Sequence, residues 1–329
     1  MKTLDTIPLY DKLLKKIYAY YQTIWKEKWK EGIEQNWLAN FKNTDEDELA
    51  KEQVNMLYLL SKFMYFGNDE LRQLLVSLYR DLFKYPIVAS IRSSNGDTTD
   101  LSFIEKAYNE ELNKSRFLGV GNPSESGVHM LYFFRQECNL SKEYFINTSD
   151  VFSTSKITET LPDGTKRTYL RSELSAKDIK RYIFIDDFCG SGSQASGYLK
   201  TIVENIKFED PHVEVNYLMI FGTEHGIKAV RDLGIFNTVD AVFTIDETFK
   251  AFSANSRYFK VIPDVIIEKS FSEATAVKYG TTLFGSPLGY GDCQLLIGFH
   301  HNTPDNSLPI FWSNRNSWKP IFKRYNKIY

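Results

Sequence analysis

Residues 182–197 read Tyr-Ile-Phe-Ile-Asp-Asp-Phe-Cys-Gly-Ser-Gly-Ser-Gln-Ala-Ser-Gly. Four apolar residues run straight into two adjacent acids, Asp186 and Asp187. A small-residue turn follows from Cys189 to Ser193, and then a helix-like stretch from Gln194 to Ile206. The pattern is that of a buried strand that delivers two carboxylates to its carboxyl end and passes through a glycine-rich loop into a helix. Ionised carboxylates only accept hydrogen bonds, so they match sugar hydroxyls. Backbone N–H groups at a helix N-terminus match a phosphate. In an open α/β sheet, ligands sit outside the carboxyl ends of the strands, where this loop lies. Adjacent acids repel, and a cation, hydroxyl groups or an exposed mouth would relieve that. The alternative is structural: one acid caps the 194–206 helix and the other faces water.

Outward from this loop, strand and helix alternate. Phe117–Gly121 reads as a buried strand, 122–127 as a loop, Val128–Glu137 as a helix, and Tyr144–Ile146 as a second strand. Residues 150–171 are polar around a Pro162-Asp163-Gly164 turn, which suits a mobile β-hairpin. Tyr182–Asp187, Val213–Phe221 and Val239–Ile245 supply three more strands, with helices over 194–206 and 224–233 between them. This alternation indicates an α/β fold with a largely parallel sheet and flanking helices.

The first hundred residues read as mostly α-helical. Apolar residues including Trp25, Trp29 and Trp37 recur at helical spacing over 8–41. A capping-box-like Thr44…Asp47 precedes a helix over about 47–65, and Asn68 or Asp69 opens another, 70–84, before Pro86. Ser93–Asp97 is a turn that divides an α-helical N-terminal region, 1–92, from an α/β domain, 100–329. From about residue 247 that domain carries a less regular extension, with an apolar strand over Gln294–Phe299 that suits an extra sheet edge or a lid.

A net charge of −2 removes any global basic signal for nucleic acid. Cys138, Cys189 and Cys293 lie far apart with no CxxC spacing, which supports neither a zinc site nor a disulfide framework. No apolar run reaches transmembrane length and the N-terminus lacks an apolar signal core, so the expectation is a cytoplasmic protein with no membrane contact. Cys189 has no histidine near it in sequence and reads as a small loop filler. His300 and His301, adjacent on an extended segment, point to opposite faces and do not readily ligate one metal.

The glycine loop is not a dinucleotide fingerprint, because here the acids precede the glycines. It is not a Walker A loop, because no Gly-Lys-Ser/Thr follows. It resembles the ribose-phosphate motif of type I phosphoribosyltransferases: an apolar strand, two acids, two apolar residues, then Thr-Thr-Gly-x-Thr. Asp186, Asp187, the pair Phe188-Cys189, Ser191 and Gly192 match, while Gly190 and Gln194 replace hydroxyl residues. Together with 57–63 and 302–309, the block 188–194 resembles a bacterial phosphoribosyltransferase-like family, PRTase-CE. Members of that family are encoded in conflict and anti-phage systems.

The resemblance implies a phosphoribosyltransferase-like sheet preceded by the helical region, and a ligand that is phosphoribosyl pyrophosphate or a nucleotide. It implies hydrogen bonds from the ribose hydroxyls to Asp186 and Asp187. It also implies a 5′-phosphate held by Cys189, Gly190, Ser191, Gly192, Ser193 and Gln194. A pyrophosphate loop would comprise Gly121, Asn122, Ser124, Glu125, Ser126 and Gly127. Magnesium would be carried by ligand oxygens, with no direct protein ligand. Lys156, Lys166 and Arg167 on the hairpin would neutralise departing pyrophosphate, although each alone reads more readily as a solvated charge. The implied activity is glycosyl transfer or nucleotide hydrolysis by a defence effector, with a protein or nucleic-acid partner in a defence complex. The alternative is a nucleotide-sensing module without turnover.

Overall fold

The computed structural model describes residues 4, 7–28, 30–122 and 125–325. Trp29 and Ser124, both singled out in the sequence, lie outside the described residues. In chain order the helices are α1 (Pro8–Thr23), α2 (Ile33–Leu38), α3 (Glu46–Leu60), α4 (Asn68–Ser77), α5 (Tyr85–Ser94), α6 (Leu101–Asn113), α7 (Ser126–Glu137), α8 (Ser193–Glu209), α9 (Glu224–Arg231), α10 (Lys269–Leu283) and α11 (Pro309–Trp312). The strands are β1 (Met64–Phe66), β2 (Ser115–Gly119), β3 (Phe152–Thr160), β4 (Lys166–Leu174), β5 (Arg181–Cys189), β6 (Glu214–Thr223), β7 (Thr238–Ile245) and β8 (Ile297–Phe299).

Two compact units result, 1–71 with 245–329, and 72–244. The sequence instead placed the division at the 93–97 turn and put the tail with the sheet. In the structure the tail is buried with the N-terminal helices. Trp37 stacks on Phe311 at 5.3 Å between ring centres and donates its indole N–H to the Ile310 carbonyl. Phe63 stacks on Phe322 at 4.2 Å. These rings share one core with Trp25 and Leu296, so neither chain end could bury its apolar residues alone. The expected strand of the tail shortens to β8, which pairs in parallel with β1 rather than extending the main sheet.

Local chemistry explains the smaller departures. Asp45, not Thr44, caps α3, accepting from the N–H groups of Asp47 and Glu48. The helix expected to stop before Pro86 passes through it. Residues Leu78–Lys84 widen into a π-helix, and the Tyr85 N–H reaches back to the Arg80 carbonyl. Pro86 follows directly, at the start of α5, where the widened turn accommodates a residue with no N–H.

In the 72–244 unit, the main sheet has the order β2-β5-β6-β7, with β2–β5 and β5–β6 parallel. Val-, Leu- and Ile-rich faces of α8 and α9 cover one side through Leu199, Val203, Ile206, Ile227 and Val230. The expected strand at 144–146 is reduced to a single parallel bridge from Phe145 to Phe117 on β2. The hairpin β3–β4 forms as read, turning at 161–165. From β2 the chain crosses to Phe145 on one side and then returns to β5 on the other. The strand order therefore reverses between β2 and β5, and this reversal marks the ligand crevice of an open parallel sheet. No described helix is long and apolar enough to cross a membrane.

Candidate functional site

Both strands at the reversal end in loops of small residues. After β2 the chain makes a tight entry into α7 that depends on two glycines. A Cβ on Gly119 would lie 2.6 Å from the Val128 nitrogen, and one on Gly127 would lie 2.4 Å from the Val120 carbonyl oxygen. Only glycine lets the start of α7 lie this close to the strand. After β5, Gly192 takes a left-handed φ of 77° and hands the chain to α8. The first amides of α8 have no carbonyl partner within the helix and sit at its positive end. Ser191 and Ser193 share a hydroxyl–hydroxyl bond of 2.9 Å beside them.

The loop after β5 is anchored from below. Thr223 caps α9 by accepting from the Gly226 N–H, and its own hydroxyl donates to the Gly190 carbonyl. Gly226 must be glycine for this approach, because a Cβ there would lie 2.3 Å from the Gly190 oxygen. Tyr217, Thr223 and Gly226 were not singled out in the sequence. Thr223-x-x-Gly226 at a strand-to-helix junction carries a readable N-cap signal. The role of Tyr217 depends on strand register and has no local signal.

Successive residues of a strand leave it toward opposite sides, which gives the two acids different partners although their carboxyls still interact. Asp186 shares its face with Phe184 and lies in register with Met219, two residues beyond Tyr217 on β6. The Tyr217 hydroxyl donates to Asp186 Oδ2 at 2.8 Å, and the Asp187 N–H donates to Oδ1 at 3.0 Å. Asp187 turns toward α7, where the Ser126 hydroxyl donates to its Oδ1 at 2.8 Å. Asp187 therefore stands at the first turn of α7, where the backbone dipole favours an anion. Neither acid caps α8, whose N-cap is Gly192 without a side-chain bond.

The acids are buried, at 4% and 7% exposure, so they are not two equivalent ionised acceptors at an open mouth. Burial, and then the charge of Asp187, push the Asp186 carboxyl well above its ordinary value of 3.8. Burial and Asp186 push the Cys189 thiol up to about 12, so it remains a thiol, in keeping with a loop filler rather than a nucleophile. An acid whose folded pKa is raised stabilises the fold fully below its unfolded pKa. That contribution is lost as pH rises through the folded value. The stability of Asp186→Asn relative to the native protein should therefore improve as pH climbs above about 4, toward the raised folded value. Thermal melts of both proteins across that range check this, and a pH-independent difference would contradict it.

The two loops meet. Besides Ser126–Asp187, the Gln194 amide donates to Glu125 Oε2 at 3.1 Å. Glu125 folds over Gly121, whose added Cβ would sit 1.8 Å from the Glu125 carboxylate. The structure thus brings together Gly121, Glu125, Ser126 and Gly127 with Asp187 and Gln194, and Asn122 closes the first loop by accepting from the Glu125 N–H. The hairpin cations are not joined to this cluster. Lys156, Lys166 and Arg167 are exposed, opposite Leu170, Thr160 and Glu159 respectively. Among the described residues none of the three bonds to either acid. The described residues bring no three His, Cys, Asp or Glu side chains together as a metal cluster. The donors around the crevice are carboxylate and hydroxyl oxygens, which suit magnesium and not a softer metal.

A family model named PRTase-CE matches residues 34–324. No curated protein matches the chain. Among solved structures, the AQ2163 protein from Aquifex aeolicus is similar at 10% identity, over 66% of this chain and 86% of that one, with a TM-score of 0.29. The Helicobacter pylori xanthine-guanine-hypoxanthine phosphoribosyltransferase is similar at 7% identity, over 56% and 91% of the two chains, with a TM-score of 0.26. The Trypanosoma brucei adenine phosphoribosyl transferase, solved with AMP, pyrophosphate and ribose-5-phosphate, is similar at 12% identity, over 46% and 68%, with a TM-score of 0.20.

Proposed function

Because the chain belongs to the PRTase-CE family, we propose that the crevice between β2 and β5 binds a 5-phosphoribosyl group, brought as phosphoribosyl pyrophosphate or as a nucleotide. The bound group is then transferred to an acceptor or released to water. The observation that carries this reading is the hydrogen bond from Ser126 to Asp187, which ties the two loops across the strand-order reversal.

The 5′-phosphate lies on the amides of 189–194 and the first turn of α8, assisted by Ser191 and Ser193. Asp187 accepts from the ribose hydroxyls. Asp186, held by Tyr217, is a positioning residue that fixes the strand end and the Asp187 amide. At the ribose C1, the bond to the leaving group breaks with its electron pair going to that group. A lone pair of the acceptor or of water forms the new bond, and its proton passes to solvent. The sugar carries positive charge between these events, and the carboxylate of Asp187 stabilises that charge by position alone. Gly121–Gly127 holds the leaving group. Magnesium would be carried by the ligand's phosphate oxygens, with Glu125 as the nearby acid, and would supply charge neutralisation there. Closure of the hairpin would add Lys156, Lys166 and Arg167 at the departing group. The resemblance to conflict-system proteins supports an effector that acts on cellular nucleotides.

A second reading, nucleotide binding without turnover, is favoured by one observation. The Glu125 carboxylate lies across Gly121 and bonds to Gln194, over the backbone that would hold pyrophosphate. Mass spectrometry of cellular nucleotides after expression separates the two. Turnover predicts loss of a nucleotide class with gain of a ribose 5-phosphate product. An unchanged profile from folded, nucleotide-bound protein selects the binding module.

A further inference from the structure

We propose that α1 and the end of α3 form a second ligand site, which takes one doubly charged phosphoryl group on Lys16, Tyr20 and Lys62. All three residues lie in the unit made of the two chain ends. None of them belongs to the phosphoribosyl site.

The fold brings three donors together. Lys16 and Tyr20 stand one turn apart on one face of α1, and the Lys16 ammonium lies 5.5 Å from the centre of the Tyr20 ring. The Tyr20 hydroxyl reaches the carbonyl of Ser61, the residue that ends α3, at 3.5 Å. That sets the tip of Tyr20 beside the next residue, Lys62, whose ammonium lies 5.1 Å from the centre of the Tyr58 ring. An O–H···O bond is ordinarily about 2.5–3.0 Å long, so the Tyr20 hydroxyl is loosely engaged and can turn to a better acceptor. Both lysines are half-buried.

The charges at this place are unbalanced. Lys51, Lys228, Lys250 and Lys278 each meet a carboxylate. Among the described residues no carboxylate relieves Lys16 or Lys62, and burial holds both ammonium groups below their ordinary value. The charge of Lys16 lowers Lys62 further, so the two cations are close enough to repel. A half-buried pair of like charges costs free energy that a bound anion removes. A phosphoryl group brings nearly two negative charges and several acceptor oxygens, which match two ammonium groups and a hydroxyl. A monocarboxylate would leave one lysine uncompensated. A nucleic-acid backbone calls for a stripe of cations on a basic chain, and the net charge here is −2.

The test acetylates the amines of the full native chain with an N-hydroxysuccinimide ester and reads each lysine by mass spectrometry. Labelling is compared in inorganic phosphate, in glycerol 3-phosphate and in acetate, at equal ionic strength. Saturating inorganic phosphate is expected to slow labelling of Lys16 and Lys62 by about tenfold or more relative to acetate, the worth of a charge-assisted hydrogen bond. Lys12 and Lys15, exposed on α1, should change little. Glycerol 3-phosphate separates the sources: protection equal to that of inorganic phosphate marks the end of a phosphate ester as a ligand, and weaker protection marks the free anion. In a Lys62→Met protein with native circular dichroism, phosphate should no longer slow labelling of Lys16. Equal labelling in phosphate and acetate, equal slowing of all four lysines, or undiminished protection of Lys16 in folded Lys62→Met would overturn the proposal. The comparison of phosphate with acetate uses only the native chain, so it stands even where the variant fails to fold. Because the labels are read at Lys16 and Lys62 themselves, phosphate held at the phosphoribosyl site does not enter the result.

Discussion

Replacing Asp187 by Asn is expected to weaken binding of a nucleoside 5′-monophosphate by about 10- to 100-fold, the worth of a charge-assisted hydrogen bond of about 1.5–3 kcal/mol. The substitution is nearly isosteric. The amide keeps an oxygen for the Ser126 hydroxyl, which now lies 2.8 Å from Asp187 Oδ1. Its NH₂ replaces the other carboxylate oxygen, and it meets sugar hydroxyl donors with a further donor. Turnover should fall further than affinity, because the positive charge at the ribose C1 develops only in the transition state. Calorimetry gives the affinity and product formation gives the rate, with circular dichroism as the control for folding. Unchanged affinity in a folded Asp187→Asn protein would remove the acid from the sugar.

Gly226→Ala is expected to be as damaging, for a reason that reverses the usual preference. In a helix interior alanine is favoured over glycine by about 1 kcal/mol. Here the added Cβ would lie 2.3 Å from the Gly190 carbonyl oxygen and 2.9 Å from that of Cys189. These are backbone atoms and cannot swing aside. Relief requires α9 and the phosphate loop to separate, which breaks the bond from Thr223 to Gly190. Overpacking of this kind costs about 1–3 kcal/mol, which outweighs the helical gain. Because the displaced atoms carry the phosphate site, nucleotide affinity should fall together with stability. Urea unfolding and calorimetry on the same preparation check both. A variant more stable than the native protein would show that the loop and α9 are not in contact.

What the sequence made legible was local. The run from Tyr182 to Gly197 specifies strand, acids, loop and helix through residue type alone, and β5, Gly192 and α8 form where it places them. The later strands and helices followed from their apolar periods. The reduction of Tyr144–Ile146 to one bridge did not, because three apolar residues fit a strand or a buried turn equally well. Burial of the tail with α1–α3 was hidden because apolar patterning shows that Phe311 and Phe322 need a partner without showing which one. Within the site, the different partners of Asp186 and Asp187 follow from strand alternation. The bond from Tyr217 to Asp186 needs the register of two strands about thirty residues apart, which no short motif encodes.

A crystal structure of the protein with a nucleoside 5′-monophosphate and magnesium examines the phosphoribosyl site itself. The expected density places the phosphate on the backbone of 189–194 at the start of α8, and the ribose hydroxyls within hydrogen-bonding distance of Asp187. A nucleotide bound elsewhere, or one whose phosphate lies away from that loop, would contradict the assignment of the β2–β5 crevice as a phosphoribosyl site.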